Sequence, residues 1–500
     1  MKLRVHGKHC HKQKRGGPGW ALIGGLAALV LVVTMGGVNL ITDKVNQAGP
    51  GGAGDSPATE SWPRWGMTHT QYSADDGEPQ AMRNAQHALA AQPLIQNQHI
   101  MGWGVGNPEP APDVYDFSDL DDRMALIRRS GGTPVITLCC APDWMKGGQP
   151  GETDWSKLEE APLPKHYDEF AELAATVARR YPQVRHFIVW NEMKGFFDEE
   201  HNRWNYEGYT KLYNLVYDAL KAVDPAIRVG GPYVVIDSHS PGQGGYPSML
   251  RGPWGSVDQR SLDVINYWLE HKHGADFLVV DSSTYTRDGE LIPDEFAATG
   301  KLSAVGRWLR PRTDLPVWWG EWYVEPDGSR WSEKHRLAVQ AVAMMELVEG
   351  GATTALYWNP QRPRGDCPGC LWTPTLSNDG GQPLPMLSLL QGFARWFPSG
   401  TRLEEVTASS PVVRVLAQPL RAVVVNTTDV AVTARVDGQR LHLDGYEVCW
   451  LDRTATPGMA TPGAATPSSY GSPSGQHQET LDHYDDEPDQ QESRNVCERA

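Results

Sequence analysis

The chain has 500 residues, with 45 Lys+Arg against 61 Asp+Glu, which gives a formal net charge of −16 at pH 7. This acidity argues against a protein that binds a nucleic-acid backbone, because such a protein presents a basic face. Hydrophobic residues make up 40% of the chain and charged residues 21%, so most of it is expected to fold around a core. Collagen, coiled-coil and wholly disordered proteins are therefore excluded.

The N-terminal segment has the pattern of a membrane signal-anchor. Residues 1–19 carry six basic residues and no acid, and residues 20–41 form an apolar stretch without a charge. This length is close to the minimum for a membrane span, and the basic flank predicts a cytoplasmic N-terminus with the rest of the chain outside. The alternative is a cleaved signal peptide and a secreted protein, but no clear A-x-A cleavage site follows. Residues 42–61 are predicted to be a flexible linker.

Residues 62–398 alternate between short apolar runs and amphipathic stretches. Eight runs are β-rich and bounded by Gly, Pro, Asp or Ser, as is typical of buried parallel strands. The predicted strands are 65–70, 99–103, 134–140, 185–192, 227–234, 275–282, 315–322 and 353–360. The predicted helices are 78–91, 118–129, 165–180, 206–223, 261–273, 295–310, 334–349 and 386–397, with Ser118 and Asp121 as a capping box. Eight such units predict an α/β fold, the (β/α)8 TIM barrel, rather than a doubly wound open sheet, because no G-x-G-x-x-G follows the first strand.

Two further segments follow the barrel. Residues 399–453 show alternating apolar residues and an Asp437-Gly438 turn, which predicts a small antiparallel β-domain. Residues 454–500 contain a repeated Ala-Thr-Pro and then an acidic run, which predicts a disordered tail.

The seven cysteines do not suggest a dense disulfide framework. The Cys367-Pro-Gly-Cys370 sequence favours a local disulfide over a zinc half-site, because no second pair has matching spacing. Cys139, Cys140 and Cys449 are predicted to be core residues. No convincing group of metal ligands is apparent in the sequence, and no cofactor is expected.

Two predicted strands end in a glutamate among tryptophans. The fourth ends in Trp190-Asn191-Glu192 and the seventh in Gly320-Glu321-Trp322. Catalytic groups of such barrels lie at the C-terminal ends of strands, and a charge there is costly unless it is paired or used. Inter-loop salt bridges are the alternative. Two facing carboxyl groups suit glycosidic bond cleavage, with retention at a separation of about 5–5.5 Å and inversion at about 6.5–9.5 Å.

Other stretches of the chain resemble a known enzyme family. These are Pro112-Asp-Val-Tyr115-Asp-Phe117-Ser118-Asp-Leu120-Asp121, Gly131-Gly-Thr-Pro-Val-Ile-Thr-Leu138 and Ala141-Pro-Asp-Trp144. Together with Asn191-Glu192 they resemble family 39 of the glycoside hydrolases, in the clan A of retaining (β/α)8 enzymes. That family contains β-xylosidases and α-L-iduronidases, and the likeness extends over residues 64–452. It implies that Glu192 is the acid/base and Glu321 the nucleophile, whose charge keeps the acid protonated.

The resemblance also implies substrate contacts. Asn191 is expected to bind the sugar 2-OH, and His69 and Trp358 match a substrate-contacting His and a Trp on which the sugar packs. Tyr285 is expected to orient Glu321. The family usually has His-x-Tyr on the sixth strand, whereas this chain has Asp281-Ser-Ser-Thr-Tyr285, so the His is absent.

The tryptophans are abundant, at 19 against 17 Tyr and 9 Phe. Because sugars pack on aromatic rings, those near the predicted catalytic end are substrate-binding candidates, about half of them expected to be core residues instead. They are Trp103, Trp144, Trp190, Trp318, Trp319, Trp322 and Trp358.

The sequence therefore predicts a membrane-anchored retaining glycosidase whose catalytic domain lies outside the cell and acts on an oligo- or polysaccharide. Three alternatives remain: an endo-acting glycanase from another family of the clan, a non-catalytic carbohydrate-binding scaffold, and a surface assembly protein.

Overall fold

The computed structural model describes residues 64–243, 245–358, 361–362, 367–453 and 497–500. Within these ranges no helix is both long enough and apolar enough to cross a membrane. The predicted membrane segment 20–41 and linker 42–61 lie outside the described residues, as do residues 454–496 of the predicted tail.

Eight parallel strands close into a barrel. They are β1 (Trp65–Thr68), β2 (Ile95–His99), β3 (Thr133–Leu138), β4 (His186–Val189), β5 (Arg228–Val235), β6 (Phe277–Ser283), β7 (Val317–Tyr323) and β8 (Ala352–Tyr357). Each strand pairs with its neighbours in the chain, and β1 pairs with β8 to complete the ring. The predicted (β/α)8 barrel is confirmed, and the ends of all eight strands meet at one mouth.

Helices alternate with these strands. They are α1 (Pro79–Ala90), α2 (Ser118–Arg129), α3 (Tyr167–Arg180), α4 (Tyr206–Val223), α5 (Gln259–His271), α6 (Glu295–Ala298), α7 (Gly300–Leu309), α8 (Glu333–Glu349) and α9 (Pro385–Trp396). The predicted helix 295–310 is divided into α6 and α7. The predicted capping box is wrong, because Ser118 is already helical and its backbone N–H donates to Asp116 Oδ1 at 3.0 Å.

The second barrel strand lies at Ile95–His99, four residues before the predicted 99–103. Its sequence, Ile-Gln-Asn-Gln-His, is completely buried although four of its five residues are polar. Hydrogen bonds satisfy three of these side chains: Gln96 Nε2 donates to Ser130 Oγ at 2.8 Å, and Arg123 Nη1 donates to Gln98 Oε1 at 2.8 Å. Asn97 Oδ1 accepts from a threonine of β3. A search for apolar runs misses such a strand because its burial rests on pairing of polar groups.

Bulky side chains fill the barrel interior. The interior cluster contains Ile95, Val135, Ile188, Tyr233, Phe277, Val279, Trp318 and Leu356. Trp318 stacks on Phe277 with ring centroids 4.0 Å apart. The barrel is therefore a packed core rather than a pore, and barrels of this kind carry their sites at the C-terminal mouth.

Long connections follow β4 and β5. A two-stranded ribbon pairs Phe197–Asp198 with Arg203–Trp204, and a three-stranded sheet joins Ser238–His239, Pro247–Gly252 and Gly255–Asp258. Both come after the C-terminal ends of barrel strands, so they surround the mouth on the side of β4 and β5.

A small β-domain follows the barrel, as predicted. Its strands are β9 (Val413–Gln418), β10 (Arg421–Asn426), β11 (Val432–Val436), β12 (Gln439–Leu443) and β13 (Val448–Asp452), and all their pairings are antiparallel. Trp450 packs against Phe393 of α9, with ring centroids 5.4 Å apart. The β-domain therefore has its own apolar core and a contact with a barrel helix.

The C-terminal end of the chain corrects one prediction. Residues 454–500 were expected to be disordered throughout, but Cys497–Arg499 form strand β14, which pairs with β13. Cys449 and Cys497 form a disulfide that fixes this pairing.

Two other disulfides are present among the described residues. The Cys367–Cys370 disulfide was predicted from the sequence. Cys139 and Cys140 are fully buried, as expected of core residues, but they are also bonded to each other. The bond between Cys139 and Cys140 was not predicted, and three disulfides in a chain of 500 residues do not form a dense framework.

Candidate active site

Glu192 lies in a sharp turn directly after β4. Trp190 and Glu192 have left-handed backbone angles, with φ of 69° and 51°. Such angles are unfavourable for side chains of this size and are found where surrounding contacts fix the backbone. The buried Trp190 supplies one such contact, because its Nε1–H donates to Lys194 O at 2.8 Å. The turn therefore places a carboxylate at the barrel mouth, with its side chain only 11% exposed.

Glu321 reaches the same mouth from β7 through an irregularity in the strand. Trp319 pairs with Val280 of β6 and Glu321 pairs with Asp281, so Gly320 between them has no partner in β6. The extra residue is a bulge, which reverses the alternation of side chains beyond it. Trp318 and Glu321 can therefore both face the barrel interior although they are three residues apart.

Two tyrosines hold Glu321. The Tyr233 hydroxyl donates to Glu321 Oε1 at 2.9 Å, and the Tyr323 hydroxyl donates to Glu321 Oε2. Tyr233 is itself an extra residue in β5, between Pro232 and Val234, and has a φ of 54°. Its ring fits only because residue 320 is glycine: a Cβ there would lie 2.5 Å from Tyr233 Cζ.

Lys194 binds Glu192 from the opposite side. Its Nζ lies 2.7 Å from Glu192 Oε2 and 2.7 Å from Glu159 Oε1. Although burial works against the charged form, Glu192 and Glu159 together raise the pKa of Lys194. A charged lysine therefore accompanies Glu192 at all ordinary pH values.

A third carboxyl group, that of Asp281, completes a cluster with the two glutamates. One carboxylate oxygen from each of Glu192, Asp281 and Glu321 lies within 4.8 Å of the other two. Burial, followed by the Glu192 charge, raises the pKa of Asp281 well above its usual range. The same two causes raise the pKa of Glu321, against the hydrogen bonds from Tyr323 and Tyr233. Like charges at this distance in a buried site cannot all ionise, so the cluster retains protons at neutral pH.

Such a cluster is also chemically able to bind a hard cation through carboxylate oxygens. The sequence did not indicate a metal site, because its three residues come from separate strands. Lys194 already supplies a positive charge at Glu192, and the described residues around the cluster provide donors to Glu321 rather than further oxygen ligands. The arrangement suits proton transfer by a pair of carboxyl groups.

Asn191 and His99 lie beside Glu192. Asn191 is 1% exposed, and within the described ranges its amide nitrogen and oxygen have no hydrogen bond of normal geometry. It lies against His99. Burial lowers the pKa of His99 to about 3, and the contact with Asn191 partly opposes this shift. The contact of this buried amide with a sugar hydroxyl stays a prediction.

His69 is buried and hydrogen-bonded within the protein. Its side chain is completely buried, with Nδ1 2.6 Å from Ser73 Oγ and Nε2 3.1 Å from Gln96 Oε1. Burial, aided by Arg123, lowers the pKa of His69 to about 3, so the ring is neutral. In the structure His69 therefore connects Ser73 to Gln96, and its contact with a substrate stays a prediction.

Trp144 and Tyr285 differ from their predicted roles. Trp144 is 7% exposed, and its Nε1–H donates to Glu109 O at 2.9 Å, so it packs the loop after β2. Tyr285 makes no hydrogen bond to Glu321; Tyr233 and Tyr323 take that role. Tyr285 lies near enough to the cluster to interact with Asp281. Burial is the larger cause and the charge of Asp281 the next in raising the pKa of Tyr285 to about 12.

Two tryptophans remain accessible near the cluster. Trp358, at the end of β8, and Trp103 are partly exposed and meet edge to face with centroids 6.5 Å apart. Lys194 Nζ lies 5.5 Å from the Trp103 ring, which connects this pair to Glu192. The other five candidates are core residues: Trp144, Trp190, Trp318, Trp319 and Trp322.

Four site residues were not predicted from the sequence: Lys194, Tyr233, Asp281 and Tyr323. Lys194 lies two residues after Glu192, and Tyr323 lies two residues after Glu321. This short spacing from a predicted glutamate was a signal from which both residues could have been found. Tyr233 and Asp281 come from other strands, and Tyr233 depends on a bulge. Asp281 was noted only because it stands where the family's histidine is absent.

The closed eight-stranded barrel with glutamates at the ends of β4 and β7 defines the architecture of the clan A glycoside hydrolases. Residues 107–326 match the sequence profile of the family described as Glycosyl hydrolases family 39. This part of the chain is therefore similar to glycosyl hydrolase family 39, and the matched range includes both glutamates and Asp281.

Comparison with individual proteins gives shorter or more distant matches. A β-xylosidase of Caldicellulosiruptor saccharolyticus is 33% identical over 139 residues, which cover 25% of this chain and 27% of that protein. The match thus spans about a quarter of this curated relative. A conserved exported protein from Bacteroides fragilis has a TM-score of 0.54 at 12% identity, covering 78% of this chain and 98% of that chain.

A bacterial orthologue of human α-L-iduronidase has a TM-score of 0.50 at 15% identity, covering 74% of this chain and 64% of that chain. At these identities the likeness to the solved structures concerns the fold alone.

Proposed function

We propose that this protein is a retaining O-glycoside hydrolase that cleaves a β-xyloside or a related glycan by double displacement. The observation that carries the proposal is the approach of Glu192 and Glu321 oxygens to within 4.8 Å of each other. An approach this short supports a retaining enzyme, whose carboxyl groups are about 5–5.5 Å apart, over an inverting one, in which they are about 6.5–9.5 Å apart. The similarity to family 39 and the β-xylosidase relative support the xyloside as first substrate.

The surroundings of each glutamate support its role. Glu321 accepts two tyrosine hydroxyl hydrogen bonds, which stabilise the ionised form needed for attack on the anomeric carbon. Glu192 transfers its proton to the leaving oxygen as the glycosyl–Glu321 ester forms. In the second step Glu192 takes a proton from water, which attacks the anomeric carbon and releases Glu321.

The experiment compares the wild-type protein with Glu192→Ala and Glu321→Ala on a panel of aryl β-glycosides led by the xyloside. Turnover is expected to fall by at least about 10³-fold in Glu321→Ala, because the nucleophile is removed. Azide is expected to rescue both variants, giving the inverted glycosyl azide with Glu321→Ala and the retained one with Glu192→Ala. Glu159→Gln is the matched control, since Glu159 also pairs with Lys194 but is largely exposed.

Two outcomes would contradict the proposal. A first product of inverted configuration from the wild-type protein would exclude the double displacement. Saturable polysaccharide binding without any product would favour the non-catalytic scaffold, whereas oligosaccharide products from a polysaccharide alone would favour the endo-acting glycanase.

We also propose that the barrel lies outside the cytoplasm, attached through residues 20–41 or secreted if that segment is cleaved. The basic flank followed by an apolar stretch supports this, as do the three disulfides, since disulfides persist in oxidising compartments. Membrane fractionation of the full chain with protease added from outside tests it. A barrel that stays protected in intact cells would contradict it.

A further inference from the structure

Asp281 is a buried carboxyl group for which the two-glutamate mechanism has no use. It is 1% exposed, and neither of its oxygens has a conventional hydrogen-bond donor among the described residues. It is the cross-strand partner of Glu321, and its carboxylate lies within 4.8 Å of an oxygen of each glutamate. A buried acid without donors is costly unless a proton or a positive charge compensates it.

Two lysines supply positive charge to the cluster. Lys194 binds Glu192 directly, at 2.7 Å. Lys301 of α7 is completely buried, and its Nζ has no hydrogen bond within the described ranges. Burial lowers the pKa of Lys301 to about 8, and the charges that oppose this are those of Asp237 and Asp281. Lys301 is therefore a buried positive charge near enough to Asp237 and Asp281 for their charges to act on it.

Charge balance then limits the number of ionised carboxyl groups. The two ammonium groups, which also compensate Glu159 and Asp237, can offset at most two carboxylates of the cluster, so at least one of its three carboxyl groups retains a proton. Glu321 is the group that accepts two hydroxyl hydrogen bonds, which favours its ionised form. The proton is thus left to Glu192 and Asp281, whose side chains interact directly and have oxygens within 4.8 Å of each other.

We propose that Asp281 shares one proton with Glu192 and thereby sets the pH above which the acid/base glutamate loses its proton. This inference rests on the proposed glycosidase function and deepens it, with Asp281 as a positioning residue. In the first step the shared proton leaves with the departing oxygen while Glu321 becomes a neutral ester. Glu192 and Asp281 are then both ionised, so the cluster carries two negative charges before and after the step.

Other titratable groups also face Asp281. Asp237 lies at the end of β5 and is paired with Arg287 at 3.9 Å. Tyr233, Tyr323 and Tyr285 feel the Asp281 charge, and burial holds each of them neutral at working pH. Outside the cluster, the charges of Asp237 and Lys301 therefore act on Asp281.

The test is the pH dependence of kcat/KM for an aryl β-glycoside. A carboxylate next to Glu192 makes the proton of Glu192 harder to lose. Asp281→Asn is therefore expected to move the alkaline limb of the kcat/KM profile down by about one pH unit. Lys301→Met removes a positive charge and is expected to move the same limb up. Asp237→Asn is the matched control and is expected to shift the limb by less than half as much as Asp281→Asn.

Shifts in opposite directions would support shared-proton control, because a general loosening of the site would not reverse its sign between two variants. An unchanged or raised alkaline limb in Asp281→Asn would overturn it. If Asp281→Asn does not fold, Lys301→Met decides alone: an upward shift supports the proposal and an unchanged limb refutes it.

A second readout separates this inference from the proposed function. Carbon-13 NMR of protein labelled at the glutamate carboxyl carbon follows the titration of Glu192, identified by the signal missing from Glu192→Gln. If no glycoside is hydrolysed, the proposed function fails, while a Glu192 titration displaced downward in Asp281→Asn still supports the shared proton. Identical Glu192 titrations in both proteins would refute the inference even in an active enzyme.

Discussion

The close approach of residue 320 to the Tyr233 ring makes Gly320→Ala a direct test of how Glu321 is supported. The added Cβ would lie 2.5 Å from Tyr233 Cζ and 2.9 Å from its hydroxyl oxygen. Carbon atoms in ordinary contact are about 3.5–4.0 Å apart, so the ring must move by about 1 Å. The Tyr233–Glu321 hydrogen bond of 2.9 Å would then stretch to about 4 Å and be lost.

The expected effect of Gly320→Ala is larger on catalysis than on folding. A displacement of about 1 Å near a reacting group can cost about 10²-fold in rate, so kcat/KM is expected to fall by about that factor. Overpacking of a buried position costs about 1–3 kcal/mol in the free energy of unfolding, which should leave the protein folded. Initial rates on an aryl β-xyloside and urea unfolding of the same samples measure both quantities.

A double-mutant cycle shows whether the loss acts through Tyr233. In a Tyr233→Ala background the ring is absent, so adding Gly320→Ala should change kcat/KM by less than about 3-fold. Wild-type kcat/KM in the single Gly320→Ala variant would refute the reasoning, as would full additivity of the two substitutions.

Three further predictions concern other parts of the molecule. Trp358→Ala should raise KM for a disaccharide by about 10-fold with a smaller change in kcat, because an accessible aromatic face is removed; an unchanged KM would assign Trp358 to packing. The pKa of His69 is lowered to about 3 from 6.5, so the unfolded state binds a proton that the folded state does not, and stability is lost as the pH falls through this window. His69→Gln should reduce that loss by up to about 1.4 kcal/mol per pH unit, as measured by urea unfolding between pH 7 and pH 4; equal slopes would argue against it. Cys449→Ser should destabilise the β-domain by up to about 4 kcal/mol, because the bond closes a loop of 48 residues, and calorimetry showing no change in the melting temperature would contradict this.

The barrel was predictable because most of its strands coincide with apolar runs in the sequence. Strand β2 was the exception, since its burial depends on partners such as Ser130 and Arg123 that lie far away in the sequence. The two glutamates were found because each ends an apolar strand, where a charge needs an explanation. The local sequence pattern was therefore sufficient to predict the barrel and the positions of the two glutamates.

The support of Glu321 was not predictable in the same way. Tyr233 reaches Glu321 because β5 and β7 each contain an extra residue. A prediction that assumes strict alternation of side chains along a strand does not reveal such bulges. The expectation for Tyr285 failed for this reason. The burial of His69 and Trp144 was also not predictable, because position at a strand end does not distinguish a side chain that faces the mouth from one that packs behind it.

The Cys449–Cys497 disulfide has a consequence for residues 454–496. The structure describes the β-domain up to Arg453 and again at β14, which pairs with β13. A protease that cut the chain once between these points would produce two polypeptides still joined through a sulfur–sulfur bond. Such a nick would leave the apparent mass unchanged on a non-reducing gel, and a short C-terminal fragment would separate only after reduction.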